Sequence, residues 1–189
     1  MQIYLIRHGK TAGNLEKRYI GCTDEPLCEL GRKELEEKKF DFQVEKVFVS
    51  PLLRCRETAQ IIWKNSEQII IDDFRECNFG LFENKNYQEL SDCPQYQKWV
   101  DSMGRMPFPH GESKEVFSQR CVKAFSAMVE RCRRTGVQRI AVVVHGGTIM
   151  AIMEKVAVPS GNYYDFQVKN GEGFLLTSCE GGFVYDCIC

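Results

Sequence analysis

The sequence predicts an α/β fold, a three-layer sandwich in which a mostly parallel central sheet carries helices on both faces. Three observations support this. Short Ile- and Val-rich runs alternate with longer amphipathic segments. Two of the runs, Lys46–Val49 and Arg139–Val144, are apolar almost throughout, as strands covered on both faces are. Two runs end in His-Gly and open into a segment of helical character, at His8-Gly9 and at His145-Gly146-Gly147.

The elements follow in order. Gln2–Ile6 is a first strand, and Leu30–Phe40 a charged amphipathic helix. Lys46–Val49 is a second strand. Leu52–Lys64 is a helix that sets Ala59, Ile62 and Trp63 near one face. Gln68–Ile71 is a third strand. Glu112–Arg134 has the clearest helical period, with Phe117, Cys121, Ala124, Phe125, Met128 and Cys132 in one stripe and Gly136 as a stop. Arg139–Val144 is a fourth strand, and Thr148–Val156 a short apolar helix before Pro159. Phe174–Ser178 and Phe183–Ile188 flank Gly181-Gly182 and read as a hairpin. The whole of 1–189 reads as one domain, with no repeat and no linker. Residues 77–111 stand apart: polar and aromatic, weakly periodic, with the turn cluster Gly104-Arg-Met-Pro-Phe-Pro109. Such an insertion is either a lid or substrate-facing loop, or a plain surface excursion.

Composition excludes several classes. A formal net charge of −1 offers nothing to a nucleic acid or an anionic membrane surface. No apolar run reaches the roughly 18 residues of a spanning helix. No basic stretch precedes an apolar one at the N-terminus, so the expected compartment is the cytoplasm. Ten cysteines are present, yet no Cys-x-x-Cys pair occurs and the spacing of zinc sites is missing. They read as reduced thiols acting as small hydrophobes.

In open α/β sheets, ligands bind beyond the carboxyl ends of the strands. Here those ends carry Arg7 and His8, then Ser50 to Arg54, then Glu76, then His145. Two Arg, two His and a Glu on one rim describe a phosphate site with an acid attached. An Arg fork pairs two phosphate oxygens and stays charged at any working pH. A neutral imidazole can attack phosphorus, and a second, protonated one can stabilise charge on the equatorial oxygens. A carboxylic acid can protonate a leaving oxygen and then, as carboxylate, deprotonate water. Gly9, Gly146 and Gly147 permit close backbone approach to a ligand.

At these residues the chain resembles the histidine phosphatase superfamily, which includes the cofactor-dependent phosphoglycerate mutases. Ile6-Arg7-His8-Gly9 with Thr11 and Asn14 is similar to its opening motif, and Ser50-Pro-Leu-x-Arg54-x-x-x-Thr58-Ala59 to its second. Phe74-Arg75-Glu76-x-x-Phe79-Gly80-x-Phe82-Glu83 resembles the acid-bearing segment, with Phe82 where Trp is usual. His110-Gly-Glu112-Ser113 and Val144-His145-Gly146-Gly147 match the later motifs. The resemblance implies His8 as the phosphorylated nucleophile, and Arg7, Arg54 and His145 as the clamp on the phosphoryl group. It implies a further hydrogen bond from Asn14, another from the Gly146 N–H, and Glu76 as the acid/base. No metal or organic cofactor is implied. Among family members the short-lidded ones, α-ribazole phosphatases and broad phosphatases, are the most similar.

Lys10 departs from the pattern, because Glu or Gln commonly follows Arg-His-Gly. Lys10 either contacts a second anionic group of the substrate or is a solvated lysine. His110 is either a substrate contact or a simple loop residue. The expected activity is metal-independent hydrolysis of a small-molecule phosphomonoester through a phosphohistidine on His8. The alternatives are a phosphoglycerate mutase and a non-catalytic phospholigand-binding module. The chain is expected to be a monomer or a homodimer.

Overall fold

A computed structural model of the chain describes residues 1–38 and 40–189. The strands are β1 (Gln2–Arg7), β2 (Lys46–Val49), β3 (Gln68–Ile70), β4 (Arg139–Val144), β5 (Gly173–Cys179) and β6 (Gly182–Ile188). The helices are α1 (Ala12–Leu15), α2 (Glu29–Glu37), α3 (Leu53–Ile62), α4 (Pro94–Asp101), α5 (Lys114–Arg134) and α6 (Gly146–Val156).

The strands form one six-stranded sheet in the order β3-β2-β4-β1-β5-β6. β1 to β4 run parallel, and the β5–β6 hairpin adds two antiparallel pairings at one edge. Period-2 alternation divides the core between the faces. Ile3, Leu5, Phe48, Ile140, Val142 and Val144 pack with α5 and α6. Ile6, Val47, Val49, Ala141 and Val143 pack on the other face with Cys55 and Ala59 of α3 and with Trp63 just after it. Each large apolar side chain so buried is worth about 1.5–3 kcal/mol. The predicted three-layer α/β architecture is what the chain adopts.

Local boundaries shift by a few residues, each for a physical reason. α2 begins at Glu29 because the Cys28 sulfur accepts the Gly31 N–H. It ends at Glu37, short of the predicted Phe40, and Lys39 lies outside the described residues. α5 begins at Lys114 because the Ser113 hydroxyl accepts the Val116 N–H. It closes before Gly136, which takes the left-handed φ of 74°. The 77–111 segment contains structure that its weak periodicity hid. A 3₁₀ turn spans Gly80–Phe82, and α4 begins with Pro94 in its first turn. α4 is short and buries no residue fully.

Four thiols, Cys55, Cys77, Cys121 and Cys132, are buried, and none of the ten is paired. Among the described residues no helix is long and apolar enough to cross a membrane.

Candidate active site

Because β1, β2 and β4 are parallel, their carboxyl ends share one rim, and each delivers its residues there. His8 follows β1, Ser50 follows β2, and His145 caps α6 after β4. Glu76 arrives beyond β3 through a 3₁₀ turn at Asp72–Phe74. The imidazoles of His8 and His145 meet edge to face, with ring centroids 5.2 Å apart.

His8 is buried, and its Nδ1 lies 2.7 Å from the Gly9 carbonyl oxygen. A carbonyl can only accept, so Nδ1 carries the proton and Nε2 is left with its lone pair. Burial holds the His8 pKa well below the ordinary imidazole value, and the nearby Arg54 and Arg7 guanidiniums lower it further. Behind it the Gly9 N–H donates to the Thr58 hydroxyl, which in turn donates to the Arg54 carbonyl, tying β1's loop to α3.

Arg54 is fully buried. Nε donates to His145 Nδ1, Nη1 to the Thr23 carbonyl, and Nη2 to the carbonyls of Ile20 and Gly21. These bonds offset the several kcal/mol lost on taking a charge out of water. One Nη1 N–H remains for a ligand. Arg7 is freer. Its Nη1 donates to the Val168 carbonyl at 2.7 Å, while its buried Nε–H has no partner. An orphaned buried donor costs about 1–3 kcal/mol, which an anion placed here would recover.

His145 has no exposed surface. Its Nδ1 accepts from Arg54, and its Nε2 lies 2.7 Å from the Ser50 hydroxyl. That pattern is neutral imidazole with the proton on Nε2. Burial, Arg54 and His8 all lower its pKa. The protonated second imidazole considered from the sequence is therefore not the resting form. Both ring nitrogens are engaged, so a phosphoryl group meets this ring only by exchanging one of those bonds.

Glu76 is buried. One carboxylate oxygen accepts the Cys77 N–H at 2.9 Å and the other the Gly147 N–H at 3.0 Å. Burial raises its pKa, against the pull of those two N–H groups and of Arg54 and Arg7. Gly147 is required by this approach, since a Cβ there would lie 2.4 Å from Glu76 Oε1. The Gly146 N–H lies at the first position of α6, where helix amides point outward unpaired.

Three further residues fall elsewhere than at the centre of this rim. Asn14 Oδ1 accepts from the Thr11 N–H and from Asn170, completing the cap of α1, so only its NH₂ end is left for a ligand. Lys10 turns to α2 and pairs with Glu34 at 2.5 Å, half-exposed. His110 is exposed on a left-handed corner (φ 58°), where residues 109–111 press against Gly80. It belongs to the loop and does not line the cavity.

Beside Glu76 and Gly147 opens a cavity of about 260 Å³. Its walls include Tyr19, Phe79, Trp99, Phe108, Met150 and Tyr163, with Lys114 at one side over the Tyr163 ring. Phe79, Trp99 and Phe108 come from the 77–111 segment. Ser50, Thr58, Tyr19 and Tyr163 are not predicted from the sequence; Ser50 and Thr58 lie inside the Ser-Pro-Leu-x-Arg-x-x-x-Thr segment, and the tyrosines carry no local signal. Among the described residues no cluster of three or more His, Cys, Asp or Glu side chains is arranged to hold a metal ion.

The chain is similar to known proteins over most of its length. The chain is 26% identical to the adenosylcobalamin/α-ribazole phosphatase of Salmonella typhimurium over 96% of its own length and 92% of the relative's. It is 30% identical to a GpmB protein of Photorhabdus laumondii, named for phosphoglycerate mutase, over 80% of this chain and 76% of that one. The α-ribazole phosphatase structure from Shigella flexneri superposes with a TM-score of 0.87 at 23% identity, covering 100% of this chain and 96% of the other. Residues 3–188 match the family described as the histidine phosphatase superfamily, branch 1, and the chain belongs to that family.

Proposed function

We propose that the protein hydrolyses a small phosphomonoester through a phosphohistidine on His8. The observation that carries this is the bare Nε2 of a neutral, buried His8 beside the unpaired Nε–H of Arg7. In the first step the Nε2 lone pair forms a P–N bond as the P–O bond to the alcohol breaks. Glu76 gives its proton to the leaving oxygen. In the second step water attacks phosphorus, the P–N bond breaks, and the Glu76 carboxylate takes the water's proton. The products are the alcohol and inorganic phosphate. Arg7, one N–H of Arg54, the Gly146 N–H and the Asn14 amide hold the phosphoryl oxygens, joined by His145 once one of its bonds is exchanged.

The alcohol portion lodges in the aromatic cavity beside Glu76, under the 77–111 segment acting as a lid. Walls of this kind favour a flat, apolar group over a small carboxylate such as glycerate. An α-ribazole phosphatase-type activity is the reading they support. Ten unpaired thiols fit a reducing compartment such as the cytoplasm. The 30% identity to a GpmB protein favours a phosphoglycerate mutase as the second reading. A panel of phosphomonoesters separates the two, including α-ribazole phosphate, nucleotides, sugar phosphates and phosphoglycerates. Phosphate release fastest from esters with a flat aromatic group is expected. Phosphoryl transfer between glycerate positions outpacing release would establish the mutase instead.

A further inference from the structure

The Glu76 carboxylate is fixed at one end by two amides; its backbone is fixed by a single side chain from α5. Arg120 carries five N–H groups, and the structure provides an acceptor for each. Nε donates to Glu112 Oε1 at 3.1 Å, and Nη2 to Glu112 Oε2 at 2.8 Å. Nη1 donates to the carbonyls of Asp73 at 2.8 Å and Arg75 at 3.0 Å, and Nη2 also to the carbonyl of Glu76 at 3.4 Å. Three carbonyls of the acid-bearing segment thus converge on one guanidinium. Glu112 extends the bracing, because its Oε2 accepts the Asn78 N–H and its own N–H donates to the Asn78 carbonyl.

We propose that Arg120, held by Glu112, is the positioning residue for the acid Glu76. The proposal rests on the reading of Glu76 as proton donor given above. Without the guanidinium, the Arg75 and Glu76 carbonyls lose their side-chain donor, the Asp73 carbonyl keeps only a long contact from the Cys121 thiol, and Glu112 keeps only the Asn78 N–H, so the 73–78 segment must shift to find others. A displacement of about 1 Å at a reacting group costs on the order of 100-fold in rate. Lysine cannot substitute, since its compact ammonium has three donors and cannot serve five acceptors spread around a planar fork.

A general acid matters most when the leaving group is poor. Phenyl phosphate and p-nitrophenyl phosphate are of similar size, but the nitrophenolate departs readily without a proton. Misplacement of Glu76 therefore slows the first ester and spares the second, whereas a general loosening of the fold slows both alike. The test measures kcat/KM for both esters in Arg120→Lys, Arg120→Met and Glu112→Gln, with Glu76→Gln as reference. For Arg120→Lys a fall of about 30- to 100-fold on phenyl phosphate is expected, against less than about threefold on p-nitrophenyl phosphate. Glu112→Gln keeps the fork's shape and so remains measurable if the Arg120 variants fail to fold. Its expected loss is about tenfold and confined to the same ester. Equal losses on both esters, or none on either, would overturn the proposal. If Glu76→Gln itself shows no difference between the esters, the reading of Glu76 as acid fails, and the role proposed for Arg120 fails with it. A split in Glu76→Gln without one in the Arg120 and Glu112 variants overturns the positioning role alone.

Discussion

Nδ1 of His8 donates to the carbonyl oxygen of Gly9 across 2.7 Å, and this one bond decides which nitrogen can act. The tautomer is set by the residue that follows in the chain, before any ligand arrives. With burial, Arg54 and Arg7 all lowering its pKa, the ring stays neutral in the resting site.

The pH dependence follows from two shifts of opposite sense. His8 must be neutral, and its pKa lies below the ordinary imidazole value of about 6.5. Glu76 must be protonated in the first step, and its pKa lies above the ordinary carboxylate value of about 4.3. For an ester with a poor leaving group, kcat/KM is therefore expected to be greatest on the acid side of neutrality. It declines as rising pH strips the Glu76 proton, and p-nitrophenyl phosphate shows a weaker decline. A pH–rate profile whose acid limb sits at the ordinary imidazole value would contradict the neutral resting His8.

Gly147→Ala places its Cβ 2.4 Å from Glu76 Oε1 and 3.2 Å from the Phe117 ring. Helix propensity favours alanine within α6 by about 1 kcal/mol, so the fold is expected to survive. The carboxylate must swing away. Turnover of phenyl phosphate is expected to fall by roughly 100-fold with the circular dichroism spectrum unchanged. Gly146→Ala comes nearest to the Arg7 guanidinium, at 3.4 Å, and is expected to be milder.

Trp99 stacks on Phe108 at 5.0 Å and walls the cavity with it. Trp99→Ala is expected to raise KM for an ester with a bulky aromatic group by about tenfold, the worth of one stacking contact of about 1.5 kcal/mol. KM for a small alkyl phosphate is expected to change little. Equal effects on both substrates would remove the cavity from the leaving-group path.

The two buried histidines are expected to lower stability in acid, opposed by Glu76, whose raised pKa favours the folded state as pH falls. His8 and His145 have pKa values below those of the unfolded chain, so below about pH 6.5 the unfolded state binds protons that the folded state does not. Each histidine then subtracts about 1.4 kcal/mol of stability per pH unit, until the folded-state pKa is reached. Urea unfolding at pH 7.5 and pH 5.5 measures this. His145→Asn is expected to be less sensitive to the change than the wild-type protein. Identical sensitivity would show that His145 is not held neutral in the fold.

The fold and the outline of the site were legible because the signals are local. Apolar runs at Lys46–Val49 and Arg139–Val144 mark buried parallel strands, and parallel strands bring His8 and His145 to one rim. What stayed hidden depends on contacts distant in sequence. Lys10 is taken up by Glu34, which pattern alone does not reveal. His110 sits in a left-handed corner that only the packing against Gly80 explains. Arg120 is an ordinary charged position on an amphipathic helix until the 73–76 carbonyls fold onto it. α4 is only eight residues long and sits inside a polar, aromatic stretch, so its signal is short and carries no buried stripe to anchor it. The neutral state of His145 was out of reach, since it depends on burial and on Arg54 donating from another helix.

The central claim is a covalent phosphoryl group on His8 Nε2. Rapid denaturing quench during turnover of p-nitrophenyl phosphate, followed by peptide mapping, tests it most directly. The account predicts phosphate on the peptide holding His8, labile to acid and stable to base, and lost in His8→Ala together with turnover. Steady turnover by His8→Ala, or phosphate trapped on any other residue, would contradict it.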